Sequence, residues 1–209
     1  MNSVEALEWR YAVKKFDNEK LLPPEKIEII KKSFRLTPSS SGLQPIRLAI
    51  VQDKKLQKTL EKHSYYQKQV ATASHVLIFC IETEVNSKFI HKKFELEKKI
   101  RNTPDEILHP FREGLIADFG KKETSEINQW AVNQVYLAIG NLLNICAMER
   151  IDACPMEGFD TEKYDELLEL EKRGLKSVLA MPIGYRAEDD IFAGFKKVRR
   201  PLDEVIVEL

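Results

Sequence analysis

The sequence predicts a helix-rich fold built on one small sheet, and three observations point to it. Glycine (8) and proline (9) are sparse among 209 residues, so few helices need be interrupted. The stretch 124–150 is apolar almost all round over a helical length. Three short runs, "IRLAIVQ" (46–52), "ASHVLIFCIE" (73–82) and "SVLAMPIGY" (177–185), concentrate β-branched and aliphatic residues as strands do.

The elements follow in order. Residues 3–9 form a short helix, and the stretch "WRYAVKKFD" (9–17) then sets basic residues among apolar ones in neither a helical nor a strand pattern before a turn at Asp17-Asn18. Pro23-Pro24-Glu25 starts a helix carrying Ile27, Ile29, Ile30 and Phe34, which stops near Thr37-Pro38 because a residue before proline is pushed out of the helical region. The loop "TPSSSGLQP" leads into the first strand, and a short polar helix spans Lys54 to Lys62. The run 73–82 is continuously apolar, as in a strand buried on both faces. Lys88 to Arg101 alternates charge as a solvated helix does. Thr103-Pro104-Asp105-Glu106 reads as a helix start with threonine as cap and proline at the first helical position.

The helix from Thr124 to about Arg150, about 40 Å long at 1.5 Å per residue, has no polar face for water and is expected in the core or at a dimer interface. "CPMEGFD" breaks it, Asp160 caps an acidic helix (161–170), and the tail "FKKVRRPLDEVIVEL" gives a basic cluster and then a strand-like apolar end.

Length and composition describe one domain spanning 1–209, with 43% hydrophobic and 32% charged residues. Lys and Arg (33) balance Asp and Glu (33), so no overall field favours nucleic acid or an anionic membrane, and any anion site is local. Cys80, Cys146 and Cys154 sit in apolar surroundings, as buried thiols of a reducing compartment do. The N-terminal residues show no signal-peptide pattern, and a cytoplasmic protein is expected.

The four histidines show no metal-ligand spacing. No GxSxG elbow, GxxxxGK[ST] loop or GxGxxG fingerprint is present. Two signals are left. Arg10 and Lys14 near the start and Lys196, Lys197, Arg199 and Arg200 near the end can converge on one phosphate, or all can be solvated surface charge. In "CPMEGFD", Glu157-Gly158 is either a close backbone approach to a ligand or a plain turn. Spacing alone does not decide either pair of readings.

Seven motifs, "RYAVKKFD", "TPSSSGLQP", "ASHVLIFC", "QVYLAIGNLL", "PMEGFD", "PIGY" and "KKVRRP", resemble in order those of the FMN-dependent, oxygen-insensitive nitroreductase family, in its nitroreductase and dihydropteridine reductase branch. The resemblance implies an α+β fold with a central mixed sheet flanked by helices, in a homodimer whose long core helix lies at the interface. It implies FMN at that interface, NADH or NADPH as electron donor, and small-molecule acceptors such as nitroaromatics, quinones or pteridines, reduced by ping-pong hydride transfer. The alternative is a non-catalytic or regulatory flavin-binding protein, or a member with a divergent flavin reaction.

Carried over by motif, Arg10, Lys197 and Arg199 hold the phosphate, and Tyr11 and Ala12 line the cofactor. Lys14 reaches the N1 and O2 edge of the ring, and the backbone amides of Glu157 and Gly158 point at N5 and O4. Pro38, Ser39, Ser40 and Gly42 edge the ring from the partner subunit. Tyr66 and Gln69 occupy cofactor-contacting positions, and Ile116 aligns with the aromatic gate on the substrate side. Lys14 and Glu157 are the expected catalytic positions. Ala12 stands where the branch often has serine, Gly42 and Tyr66 where it has asparagine, and Ile46 where tryptophan is common.

Overall fold

A computed structural model describes residues 2–209. Helix α1 (Ser3–Trp9) is closed by a reciprocal capping box between Asn2 and Glu5. Helix α2 (Pro24–Leu36) opens on proline and ends before Pro38, as the prolines dictate. A 3-10 turn (Ser40–Gly42) precedes β1 (Ile46–Val51), followed by α3 (Lys54–Lys62), where Asp53 accepts from the Leu56 N–H, and a single-turn α4 (Gln69–Thr72). Next come β2 (His75–Glu82), α5 (Ser87–Arg101), α6 (Asp105–Phe119) and α7 (Thr124–Met148). The chain closes with β3 (Asp152–Ala153), α8 (Thr161–Leu167), β4 (Leu175–Gly184) and α9 (Leu202–Val205).

The sheet order is β1-β2-β4-β3 and every strand pair is antiparallel. Its mixed character is confined to one isolated parallel bridge, Ala12 to Ala153, which lays the segment after α1 beside β3. Successive side chains of β2 point to opposite faces. Leu77, Phe79 and Ile81 therefore pack with Ala131, Val135, Ala138 and Leu142 of α7, while Val76, Ile78 and Cys80 pack with Leu60, Val70 and Tyr164 on the other side. Both faces are covered, which is why this run carries no polar alternation.

Helix α7 is long and apolar enough to cross a membrane by length and composition. It lies instead along the sheet, burying Ala131, Val135, Ala138, Ile139, Leu142 and Cys146 on one face and leaving Tyr136 and Leu137 about half exposed on another. A third cluster joins α5 and α6 around Leu43, with Phe94, Leu108 and Phe119.

Four local expectations change. Pro104, not Thr103, stands at the cap of α6, and no side chain caps it. The acidic helix ends at Leu167, because Leu168 leaves helical geometry and a 3-10 turn at Glu171–Arg173 carries the chain into β4. That strand starts at Leu175, two residues before the apolar run suggests, because Lys176 and Leu175 pair with Ile81 and Glu82. The tail forms one helical turn before Ile206 becomes extended, since Pro201 supplies a helix start at Leu202.

Candidate active site

The stretch 9–17 owes its shape to its anchors. Val13 and Phe16 are buried in the core. Asp190, only 4% exposed, accepts from the Tyr11 hydroxyl at 2.9 Å and from the N–H groups of Lys14 at 3.0 Å, Lys15 at 3.3 Å and Phe192 at 3.1 Å. Burial alone raises a carboxyl pKa, but these donors outweigh it and hold Asp190 below its usual value. Beside it, buried Asp152 takes two hydrogen bonds from the Arg186 guanidinium, at 2.9 and 2.5 Å, and one from the Arg186 N–H at 2.8 Å. The guanidinium so held lies 4.3 Å from the Trp9 ring centre and 4.6 Å from that of Tyr11. Arg10 is extended at the end of α1. Trp9 and Tyr11 take one side of the strand-like stretch, which leaves the other side to Arg10 and Ala12.

On that side the cations gather. The Lys197 ammonium donates to the Arg10 carbonyl. Burial, then the charge of Arg199, lowers the Arg10 pKa, and burial, then Arg10 and Arg199, lowers that of Lys197. Mutual depression means that like charges stand close together. Among the described residues none of Arg10, Lys14, Lys197 and Arg199 is in an ion pair, whereas neighbouring Lys15 pairs with Asp189. A convergent cation group without a carboxylate is what a bound phosphate requires.

Lys14 projects from the same wall, exposed, with Nζ 3.9 Å from the sulfur of buried Cys154. Burial raises the Cys154 thiol, with Lys14 and Gln69 opposing. After it, the loop 154–158 is pinned by paired bonds between Met156 and Ala180, at 2.8 and 3.1 Å. The N–H groups of Glu157 and Gly158 have no acceptor among the described residues, while other groups of these two residues are held. The Glu157 carboxylate accepts from the Tyr136 hydroxyl at 2.7 Å, a bond that raises the tyrosine pKa, and the Gly158 carbonyl accepts from Gln67 Nε2 at 2.8 Å. A Cβ on Gly158 meets that same nitrogen at 3.2 Å and the Tyr65 ring at 3.7 Å, so the close approach accounts for the glycine. Gln69 is buried against Gln67 and Cys154, whereas Tyr66 is 73% exposed in the left-handed region, φ 57°.

The remaining expected residues lie elsewhere. The loop bearing Pro38, Ser39, Ser40 and Gly42 is tied to α7 by the Ser40 N–H donating to Gln134 at 2.9 Å, and Gly42 sits at φ +62°. Ile116 packs in the cluster that also holds Leu43 of this loop. Gln134 and Tyr136 are two positions apart on one helix and so project to different sides. Within one chain the loop is thus tied through Gln134 and the Glu157 loop through Tyr136, on different sides of α7.

Asp190, Arg186, Asp152, Gln67 and Tyr136 escape sequence reasoning. Asp190 looks like its exposed neighbours Glu188 and Asp189, and only burial distinguishes it.

Residues 7–185 match the model of the nitroreductase family. The chain is 30% identical over 208 residues to the oxygen-insensitive NAD(P)H nitroreductase of Enterobacter cloacae, covering 95% of each. Its fold is similar to that of a nitroreductase-like protein from Streptococcus mutans, with TM-score 0.86 and 24% identity over 99% of this chain and 97% of that one. It is also similar to an Exiguobacterium sibiricum protein solved in complex with FMN, with TM-score 0.85 and 19% identity over 100% and 98%.

Proposed function

The chain belongs to the nitroreductase family, and from that premise we propose that it is an FMN-dependent NAD(P)H oxidoreductase, working as a homodimer by ping-pong transfer of two electrons to nitroaromatics, quinones or pteridines. One observation carries the reading: Arg10, Lys197 and Arg199 converge without an ion-paired carboxylate, near Lys14 and the loop that carries the free N–H groups of Glu157 and Gly158. This donor set suits a ligand with a phosphate at one end and a polar aromatic ring at the other. FMN, when bound, supplies the hydride chemistry.

The chain's residues supply position and charge. Arg10, Lys197 and Arg199 hold the phosphate. The Lys14 ammonium would lie toward the N1 and O2 edge of a bound flavin and would supply a fixed positive charge there. The Glu157 and Gly158 amides orient the N5 and O4 edge. No side chain acts as a nucleophile, and solvent supplies protons.

Dimerisation would join the two parts of the proposed site. The loop 38–42 is tied to α7 through Gln134, and Ile116 packs with Leu43 of that loop, so a two-fold axis would bring both to the cations of a partner. The free edge of β1 and the exposed apolar tail support this assembly. A groove of 640 Å³ along that edge is lined by Leu48, Ile50, Leu56, Leu168, Leu170 and Leu175, and Val198, Leu202 and Val207 stand 87%, 76% and 81% exposed. An unpaired strand edge and an unpaired apolar segment complement each other. A cytoplasmic location fits the three buried free thiols.

The test is whether purified protein is yellow, or becomes so with FMN, and is bleached by NADH or NADPH without oxygen. A protein that binds no FMN overturns the reading, and one that binds it without nicotinamide reduction is a flavin carrier. Sedimentation at micromolar concentration checks the dimer.

A further inference from the structure

One side chain bridges the two edges of the candidate site without belonging to any motif. Gln67 lies half-buried just before α4, after two tyrosines in the left-handed region, Tyr65 at φ 52° and Tyr66 at φ 57°. Such residues are costly for bulky side chains and persist where surrounding bonds fix them. Here the Tyr66 N–H donates to Glu61 and the Gln67 N–H to Ser64. The turn aims the Gln67 amide at the loop 154–158. Its Nε2 donates to the Gly158 carbonyl at 2.8 Å, and its Oε1 accepts from Gln69 Nε2 at 3.0 Å. Gln69 in turn lies 3.9 Å from Cys154, whose sulfur is 3.9 Å from Lys14. On the other side, Tyr136 grips the Glu157 carboxylate.

We propose that Gln67 is a positioning residue: by holding the Gly158 carbonyl it fixes the Gly158–Phe159 peptide, whose N–H donates to the Glu157 carbonyl at 3.0 Å, and so the direction of the free Gly158 N–H. A peptide is planar, so holding the Gly158 oxygen orients the Phe159 N–H, and holding the Glu157 oxygen orients the Gly158 N–H joined to it. A side-chain amide is suited to this task because it donates to a carbonyl at one end while accepting from Gln69 at the other. The role toward FMN rests on the function proposed above, whereas the orientation of the Gly158 amide exists without cofactor and can be read without it.

Gln67→Met keeps the length of the side chain and removes both hydrogen bonds. In the cofactor-free protein, the Gly158 and Phe159 amide signals in nuclear magnetic resonance spectra are expected to shift and broaden while those of the sheet stay in place. In the FMN-loaded protein the variant is expected to bind oxidised and reduced FMN with an affinity ratio changed at least tenfold, about 30 mV in a two-electron potential.

Gln67→Glu gives a second readout. Protonated, the carboxyl donates to the Gly158 carbonyl and restores the wild-type signal; ionised, it repels that oxygen. The Gly158 amide of this variant is therefore expected to titrate through the carboxylate range, and the wild-type amide is not. Unchanged Gly158 and Phe159 signals in Gln67→Met overturn the proposal even if FMN binds. Shifted signals in a protein that never binds FMN overturn the flavin reading and leave the positioning role standing.

Discussion

The two parts of the proposed site are built in opposite ways. The wall at 9–15 is held from behind by buried carboxylates, Asp190 and Asp152, which accept from backbone N–H groups, the Tyr11 hydroxyl and the Arg186 guanidinium. The groups proposed to bind, the Arg10 guanidinium, the Lys14 ammonium and the amides of 157 and 158, make no bond to a carboxylate or carbonyl among the described residues. The loop at 38–44 has no buried carboxylate behind it and is tied by Ser40 to Gln134, by Gln44 to Ser39 Oγ and the Arg35 carbonyl, by its own turn bonds and by buried Leu43. Three of its residues, Ser41, Gly42 and Gln44, have positive φ. A charged site needs a rigid frame, because unpaired cations push one another apart. An edging loop needs only to be presented to its partner.

The largest expected effect breaks the rigid half. Arg10→Ala removes the central member of the cation group and should weaken FMN binding by about 2 to 5 kcal/mol, as truncation of one partner of a buried charge pair does. Fluorescence titration of the apoprotein measures it, and affinity within twofold of wild type refutes the phosphate assignment.

Next comes the frame itself. Asp190→Ala orphans the Tyr11 hydroxyl and the N–H groups of Lys14 and Lys15 and should cost about 2 to 3 kcal/mol of stability, read from denaturant unfolding. Its pH dependence has a definite sign. Because the folded Asp190 pKa is lowered, its contribution is present in full above the unfolded value, about 3.9, and is lost as pH falls through the folded value. Asp190→Asn should lose that acid-side dependence.

A smaller effect is expected in the loop. Gln134→Ala removes one hydrogen bond to the Ser40 N–H and should cost about 1 kcal/mol or less. If the loop edges the partner's cofactor, this variant alters FMN affinity in the dimer while the unfolding midpoint barely moves. A change in stability without a change in affinity places the loop outside the site.

The smallest effect is a control: Lys163→Ala breaks an exposed ion pair with Glu166 on α8 and should change neither melting temperature nor FMN binding, since such pairs contribute little.

Much of the frame was legible from local chemistry. The prolines bounding α2, the Asp160 cap, the apolar run of β2 and the length of α7 each follow from rules acting within one turn or one strand, whereas which face of α7 is buried does not. The motif residues Arg10, Lys197, Arg199, Lys14, Glu157 and Gly158 lie on one wall in the structure. Gln69 lies there too, buried, whereas Tyr66 turns to solvent. What held these residues was not legible. Arg186 and Asp152 meet across 34 positions, Lys14 and Asp190 across 176, and Gln67 and Gly158 across 91. No periodicity links positions so far apart.

The sequence by itself therefore determined which segments become helix or strand and which residue types are available for an anion, because capping, proline geometry and hydrophobic period act between near neighbours. Only the tertiary structure decided that Asp190 is buried while Asp189 is not, that Arg10 and Lys197 stand together, and that the loop 38–42 is tied to Gln134 of α7. Those outcomes depend on how the sheet and α7 bring distant segments into contact, and burial and mutual repulsion exist only once they are in contact.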